Sequence, residues 1–133
     1  MKQWTEEELI NDGYRLRNAE ITNVSLNMKD HGALTLDLSL SGSGCGVVYG
    51  GYCLGRGYLG TKNFVGYASG LEAIMRIMDV VGVDDLIEMK GKHARVATKG
   101  FGHSVEIIGN FIKDEWFDYE SFFEDEKPPF VED

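Results

Sequence analysis

Four basic side chains and one aromatic side chain lie in a short stretch that could bind an anion. Lys92, Arg95, Lys99 and His103 surround Phe101, which lies between two glycines. Cations pair with phosphate and an exposed ring stacks on a base, so this stretch is typical of a nucleotide-binding hairpin. The alternative is a solvated charged strand with Phe101 in the core, and the residues alone slightly favour that alternative.

A glycine-rich run, residues 42–60, invites comparison with phosphate-binding loops, but its spacing argues against two known motifs. It lacks the lysine of the GxxxxGK[ST] loop. Residues 55–60 fit GxGxxG, yet no helix clearly begins there and no βαβ unit surrounds them. We therefore predict a loop with positive φ angles at most of these glycines. Arg56 is kept as a candidate phosphate ligand, because a guanidinium donates two parallel hydrogen bonds.

Metal and nucleophile chemistry find little support in the residue spacing. A structural zinc site nearly always includes two ligands close together in the sequence. No such pair occurs among the candidate ligands, which are Cys45, Cys53, His31, His93 and His103. Nucleophilic catalysis needs a nucleophile beside a base. Ser104 and Glu106 lie close to His103 on the same predicted strand, but neighbouring residues on a strand point to opposite faces. The prediction is no metal, no cofactor and no catalysis, although the residues leave an enzyme open.

Charge is distributed unevenly along the 133 residues. The formal net charge is −9, and nine acidic residues against one lysine lie between Asp114 and Asp133. The rest of the chain is near neutral, so a local anion site is compatible with it. No apolar stretch reaches the roughly 18 residues of a membrane span, and no signal peptide is visible. We expect a soluble cytoplasmic protein with free cysteines.

Three helical segments are predicted from capping and periodicity. Thr5 and Glu8 have capping-box spacing and predict a helix over residues 6–11 that stops at Gly13. Ser69 and Glu72 have the same spacing, before apolar residues at helical intervals that end at Gly82. A shorter helix over 83–90, with Asp84 as N-cap, follows.

Alternating apolar residues predict the strands. Residues 14–28 change phase near Thr22 and Asn23, which indicates a β-bulge, and 34–40 alternate leucine with polar residues. Residues 45–54 form a third strand, and 92–98 and 103–110 form a hairpin around 99–102. A last helical turn is predicted over 118–123. The prediction is an α+β domain, residues 1–123, with an antiparallel β-sheet, a central helix pair and a C-terminal hairpin, followed by an acidic, disordered tail, residues 124–133.

Six segments together resemble a family of small bacteriophage proteins, the Thoeris anti-defence protein 1 family. They are residues 14–19 (YRLRNA), 30–32 (DHG), 49–52 (YGGY), 70–83 (GLEAIMRIMDVVGV), 91–96 (GKHARV) and 108–117 (IGNFIKDEWF). The resemblance spans residues 14–123, and its motifs are structural rather than catalytic.

The resemblance implies a protein that sequesters a host immune signal without cleaving it. Members bind cyclic ADP-ribose isomers, some also bind cyclic oligonucleotides, and they form homo-oligomers with pockets between protomers, a hexamer being one arrangement. It implies action in the cytoplasm of an infected bacterium. The expected ligand contacts are Phe101 for adenine stacking, Asn110 for polar contact, Arg56, Arg95 and Lys99 for pyrophosphate or ribose, and His103 beside them.

Two other functions stay open from the residues. An antiparallel sheet with exposed aromatics suits a single-stranded nucleic-acid-binding module, although a near-neutral body and an acidic tail disfavour a long phosphate chain. The tail itself suits an acidic, protein-binding inhibitor that mimics DNA.

Overall fold

The computed structural model describes residues 1–42, 45–58, 63–100 and 105–125. The predicted hairpin tip with Phe101 and His103, the turn after Gly42 and most of the predicted tail lie outside these ranges. The described elements are α1 (Glu6–Asn11), β1 (Arg15–Asp30), β2 (Ala33–Gly42), β3 (Cys45–Gly50), β4 (Gly55–Tyr58), β5 (Asn63–Gly66), α2 (Ala68–Val81), a 3-10 helix (Leu86–Met89), β6 (His93–Thr98), β7 (Ile107–Asn110), β8 (Trp116–Asp118) and α3 (Tyr119–Asp125).

The eight described strands form one antiparallel sheet, which confirms the α+β prediction. Their order is β5-β4-β2-β1-β6-β7-β8, and β3 pairs with β2 beside β4. The central pair is β1 and β2, and its register shifts between Ile21 and Asn23, where a bulge was predicted. Among the described residues no helix is long and apolar enough to cross a membrane.

The first helix has the predicted capping box. The Thr5 hydroxyl accepts from the Glu8 amide, and the Glu8 carboxylate accepts from the Thr5 amide. The chain leaves the helix through Gly13, whose φ is +91°. Two otherwise unpaired donors are satisfied in this way, which is why six residues suffice for a stable turn of helix.

The second helix begins differently from the prediction. Its N-cap is Tyr67, with no capping side chain, and Ser69 lies inside the first turn. The predicted Ser69–Glu72 capping box is therefore wrong, because Gly70 packs against the backbone of Leu54 and fixes the helix entry from outside. The helix ends as predicted at Gly82, in the left-handed conformation.

The predicted helix over 83–90 is only a 3-10 turn, Leu86–Met89. Its N-cap is Asp85 rather than Asp84, since the Asp85 carboxylate accepts from the amide of Ile87. Left-handed Gly82 and Gly91 bound the segment on both sides. The helix is short because Asp85, its N-cap, has an extended backbone, and this leaves only Leu86–Met89 before the chain turns at Lys90 and Gly91.

The predicted third strand, 45–54, is wrong beyond Gly50. Gly50 and Gly51 have φ angles of +129° and +85°, which turn the chain out of the extended conformation. The glycine-rich segment that follows was predicted as a loop, but it contains β4 and β5, which pair with each other. Within β4, position 57 requires a glycine, because Met28 and Phe64 occupy the space where a side chain would lie.

The main core lies between the sheet and α2. The alternating leucines of β2, Leu36, Leu38 and Leu40, are buried beneath Ala73 and Ile77 of the helix. The Tyr49 hydroxyl donates to the carbonyl oxygens of Glu106 and Phe117, 3.3 and 3.4 Å away. Because β3 pairs with β2, and β1, β6 and β7 lie between β2 and β8 in the strand order, this contact shows that the sheet curves around α2.

A second, smaller core lies on the other face of the sheet, under α1. Leu9 packs there with Ala97, Ile107 and Trp116. The predicted 103–110 strand begins only at Ile107 in the described part of the chain, and the predicted helical turn near 118 is α3, which continues to Asp125. The sheet is therefore covered on both faces over β6 and β7.

Candidate ligand-binding site

Arg95, predicted to contact a phosphate or ribose, is held by the protein itself. Its Nε donates to the carbonyl of Asn110 (2.8 Å) and one terminal nitrogen donates to the carbonyl of Lys113 (2.9 Å). The other terminal nitrogen pairs with Glu6 at 3.2 Å, and the guanidinium lies 4.6 Å above the ring of Trp116. Only 12% of the side chain is exposed, so these contacts fasten the β7–β8 loop to α1.

Asn110 is similarly occupied. Its Nδ2 donates to the carbonyl of Val80 at 2.9 Å, and its Oδ1 accepts from the amides of Ile112 and Lys113. Since the Val80 carbonyl belongs to α2, the Asn110 side chain lies on the α2 face of the sheet. Arg95 lies on the α1 face, so the structure does not bring these two predicted contacts together.

Lys99 lies close to the start of β1. Its ammonium is 3.3 Å from the carboxylate of Asp12 and 4.7 Å from the ring centre of Tyr14. Burial raises the pKa of Tyr14, and the charge of Lys99 opposes that rise. The side chain of Lys99 is 43% exposed, so a ligand could still reach it.

Arg56 lies on β4, far along the strand order from Lys99 and Arg95. It pairs with Ala33 of β2 and Val65 of β5, and it interacts with Tyr67. Burial raises the pKa of the Tyr67 hydroxyl and so does Cys53 beside it, whereas Arg56 lowers the pKa. The described predicted contacts are therefore dispersed. Arg95 lies on the α1 face of β6 and Lys99 just after β6, whereas Asn110 lies on the α2 face of β7 and Arg56 on β4.

A cleft that the sequence interpretation missed lies on the same sheet face as Arg56. It measures about 460 Å³ and is lined by Asn27, Lys29, Asp30, Thr35, Asp37 and Gly51. Thr35 and Asp37 alternate with the leucines that face α2, so their side chains point to the opposite face. Arg56 pairs with Ala33, two residues from Thr35, which places it on that face as well.

Hydrogen bonds hold the polar floor of the cleft in place. Oδ2 of Asp37 accepts from the Thr35 hydroxyl at 3.1 Å and from Nδ2 of Asn27 at 3.3 Å. The same amide group donates to the hydroxyl of Ser25, and Oδ1 of Asn27 accepts from the backbone amide of Lys29. The carboxylate of Asp37 is therefore fixed in position, and its other oxygen, Oδ1, accepts no hydrogen bond from the residues that the structure describes.

Lys29 supplies the positive charge of the cleft. Within the described ranges it makes no ion pair, while Asp30 beside it pairs with His31 at 2.8 Å. An ammonium group binds phosphate as a point charge, and a fixed carboxylate accepts hydrogen bonds from sugar hydroxyls. Lys29 and Asp37 together are therefore suited to a ligand that carries both a phosphate and sugar hydroxyls.

One sequence signal could have located this cleft. The sequence shows polar residues between the leucines of β2, and one of them, Thr35, is only 5% exposed in the structure. The period-two alternation places Thr35 and Asp37 on one face, but their partners Asn27 and Lys29 depend on the β1–β2 register. In the described part of the chain no group of three or more His, Cys, Asp or Glu side chains is arranged to hold a metal ion.

Comparison with protein-family models, with curated proteins and with solved structures yields no significant match for this chain. The resemblance to the Thoeris anti-defence family accordingly stays a prediction based on the six sequence segments.

Proposed function

We propose that this protein is a phage anti-defence protein that binds a cyclic nucleotide immune signal, a cyclic ADP-ribose isomer or a related cyclic nucleotide, and holds it without cleaving it. The observation that carries the proposal is the cleft of Lys29, Asn27, Thr35 and Asp37, with Arg56 on the same face. The sequence resemblance supplies the class of ligand.

The charges of the cleft favour a compact nucleotide over a long strand. Lys29 and Arg56 offer cations for a pyrophosphate, and Asp37 offers an acceptor for ribose hydroxyls. Asp30 and Asp37 cancel the positive charge locally, whereas a single-stranded nucleic-acid module depends on a continuous basic groove. This balance of charges makes a single-stranded nucleic-acid module the weaker candidate. The DNA-mimic hypothesis depends on the acidic tail, which lies mostly outside the described residues.

The proposal includes assembly into a homo-oligomer. Lys29 and Asp30 are exposed at the rim of the cleft, so a single chain would cover only one side of a nucleotide. Small-molecule sites bury most of the ligand surface, and a second protomer can provide the missing wall.

The test is retention followed by release. The protein is mixed with a cyclic ADP-ribose isomer, free ligand is removed by gel filtration, and the protein is denatured by heat. We expect chromatography to return the intact nucleotide. Recovery of a linear product would show an enzyme instead, and no retained nucleotide would reject the proposal.

Variants locate the site in the same assay. Lys29→Ala should weaken nucleotide binding by about tenfold or more, since a charge-assisted contact contributes about 1.5–3 kcal/mol. Lys90→Ala removes an equally exposed lysine outside the cleft and should bind as the unmodified protein does. Equal binding by both variants would show that the nucleotide does not bind in the cleft.

A further inference from the structure

The outer edge of β1 has no partner strand over more than half of its length. β6 pairs with β1 only from Arg15 to Glu20. The last backbone contacts are those of Ile21, whose amide donates to Lys92 and whose carbonyl accepts from Gly91. In the described ranges no strand pairs with this edge over residues 22–30, although β2 pairs with the inner edge as far as Asp30.

The 3-10 helix Leu86–Met89 contacts β1, but among the described residues no strand covers the outer edge over residues 22–30. Unpaired backbone groups on a long edge strand are a template for another strand, and proteins usually cover or charge such edges. Here the exposed side chains include Leu26 and Met28, which are 45% and 41% exposed. One lysine, Lys29, is the only positive charge in residues 22–30.

Further apolar side chains are exposed on the α2 side of the sheet. Met28 and Phe64 both approach the Cα of Gly57, so their side chains share that face, and Phe64 is 68% exposed. Leu71 and Met75 on the outer side of α2 are 67% and 68% exposed. Leu26 and Met28 are therefore exposed at the edge itself, and Phe64 adjoins Met28.

The sequence of the edge is complementary to itself. If two copies of residues 22–30 pair antiparallel about a two-fold axis at Leu26, apolar residues oppose apolar residues and polar residues oppose polar ones. The opposed pairs are Leu26 with Leu26, Val24 with Met28, Ser25 with Asn27, Asn23 with Lys29, and Thr22 with Asp30. No two like charges meet. The three central pairs also keep the faces that their side chains have in one chain, whereas the register shifts at Ile21/Asn23 and Asn27/Asp30 interrupt the alternation at the two outer pairs.

We propose that two copies of this protein pair through the outer edges of β1, centred on Leu26, and so form one continuous sheet. Pairing satisfies the free backbone groups of both copies, and the apolar side chains around Leu26 and Met28 become covered. This identifies an interface for the assembly in the proposed function and rests on that proposal for its biological role. The contacts themselves require no nucleotide.

The first experiment measures mass in solution without nucleotide. By light scattering after gel filtration we expect a dimer, or a multiple of it, built from the 14.8 kDa chain. Leu26→Lys places two ammonium groups opposite each other at the axis and should raise the dissociation constant by about tenfold or more. Ile112→Lys, at a side chain 84% exposed and outside this edge, is the control and should leave the mass unchanged.

The second experiment tests the register through cysteine cross-linking. Directly opposed residues in antiparallel strands have Cα atoms about 4.5–5.5 Å apart, within the range of a disulfide. Under mild oxidation Leu26→Cys should therefore form a covalent dimer far more completely than Met28→Cys, whose two copies are four residues out of register. The unmodified protein reports any background from its own cysteines.

The outcomes separate this inference from the proposed function. A monomeric protein, or a dimer that Leu26→Lys leaves intact and that Leu26→Cys cross-links no better than Met28→Cys, overturns the edge pairing. A cross-linked dimer that retains no cyclic nucleotide supports the pairing and counts against the nucleotide proposal alone. Circular dichroism of each variant confirms that it is folded before its mass is interpreted.

Discussion

Arg95 and Asn110 are joined by a hydrogen bond, yet their side chains lie on opposite faces of the sheet. Nε of Arg95 donates to the carbonyl oxygen of Asn110 on the α1 side, while the amide group of Asn110 binds Val80 on the α2 side. Both side chains hold the loop that begins at Phe111. Their substitution should therefore be visible in stability before it is visible in ligand binding.

Arg95→Lys should lower the free energy of unfolding by about 1–3 kcal/mol, because lysine cannot make the paired contacts to two carbonyls or lie flat on Trp116. Arg15→Lys is the matched control, since Arg15 is exposed at the start of β1, and it should change stability by less than about 0.5 kcal/mol. Urea unfolding measures both. Equal stability of the two variants would contradict the structural role of Arg95.

Tyr119 and Tyr49 should respond differently to loss of their hydroxyls. Both are fully buried, but the Tyr119 hydroxyl has no hydrogen-bond partner in the described part of the chain, whereas that of Tyr49 donates to two carbonyls. A buried, unpaired hydroxyl is destabilising, so Tyr119→Phe should raise the free energy of unfolding by about 1 kcal/mol.

Tyr49→Phe should instead lower the free energy of unfolding by about 0.5–1.5 kcal/mol. In that variant both carbonyls lose the Tyr49 hydroxyl, but the Glu106 carbonyl still accepts from the amide of Tyr119. Thermal unfolding of the pair of variants gives the comparison. Destabilisation by Tyr119→Phe would mean that its hydroxyl has a partner.

Stability should fall in alkaline solution. Burial raises the pKa of Tyr49 well above its ordinary value of 10.0, and burial followed by the hydrogen bond to Glu106 raises that of Tyr52. The unfolded chain releases these protons near pH 10 while the folded protein keeps them, so the stabilisation is complete below about pH 9 and is lost as pH rises above 10. Urea unfolding from pH 8 to 11 measures this, and Tyr49→Phe should show a shallower decline.

Gly109 should not accept a side chain. An added Cβ would lie 2.2 Å from the ring of Trp116, so Gly109→Ala should lower the free energy of unfolding by about 1–3 kcal/mol. Gly66→Ala is the control, because nothing lies within 4 Å of the equivalent position on β5. The Trp fluorescence of the Gly109 variant should also change. Unaltered stability would show that the ring of Trp116 does not lie against Gly109.

Elements specified by neighbouring residues were predicted well. The capping box at Thr5, the alternation from Leu34 to Leu40 and the stop at Gly82 each depend on a few adjacent residues, and the structure contains all three features. The Ser69 capping box was wrong because a contact from Leu54, far along the chain, sets the start of α2. The β4–β5 hairpin was missed because Gly57 makes room for the side chains of Met28 and Phe64, and local patterns cannot indicate the contact with Met28.

By itself the sequence determined an α+β chain with an antiparallel sheet, one strong amphipathic strand and one long helix, because period and capping are local properties. Only the tertiary structure decided which polar side chains meet. A shift of one residue moves a strand's side chains to the other face, and β1 has register shifts both near Thr22 and between Asn27 and Asp30. The cleft around Asp37, the separation of Arg95 from Asn110 and the free edge at Leu26 all follow from that long-range pairing.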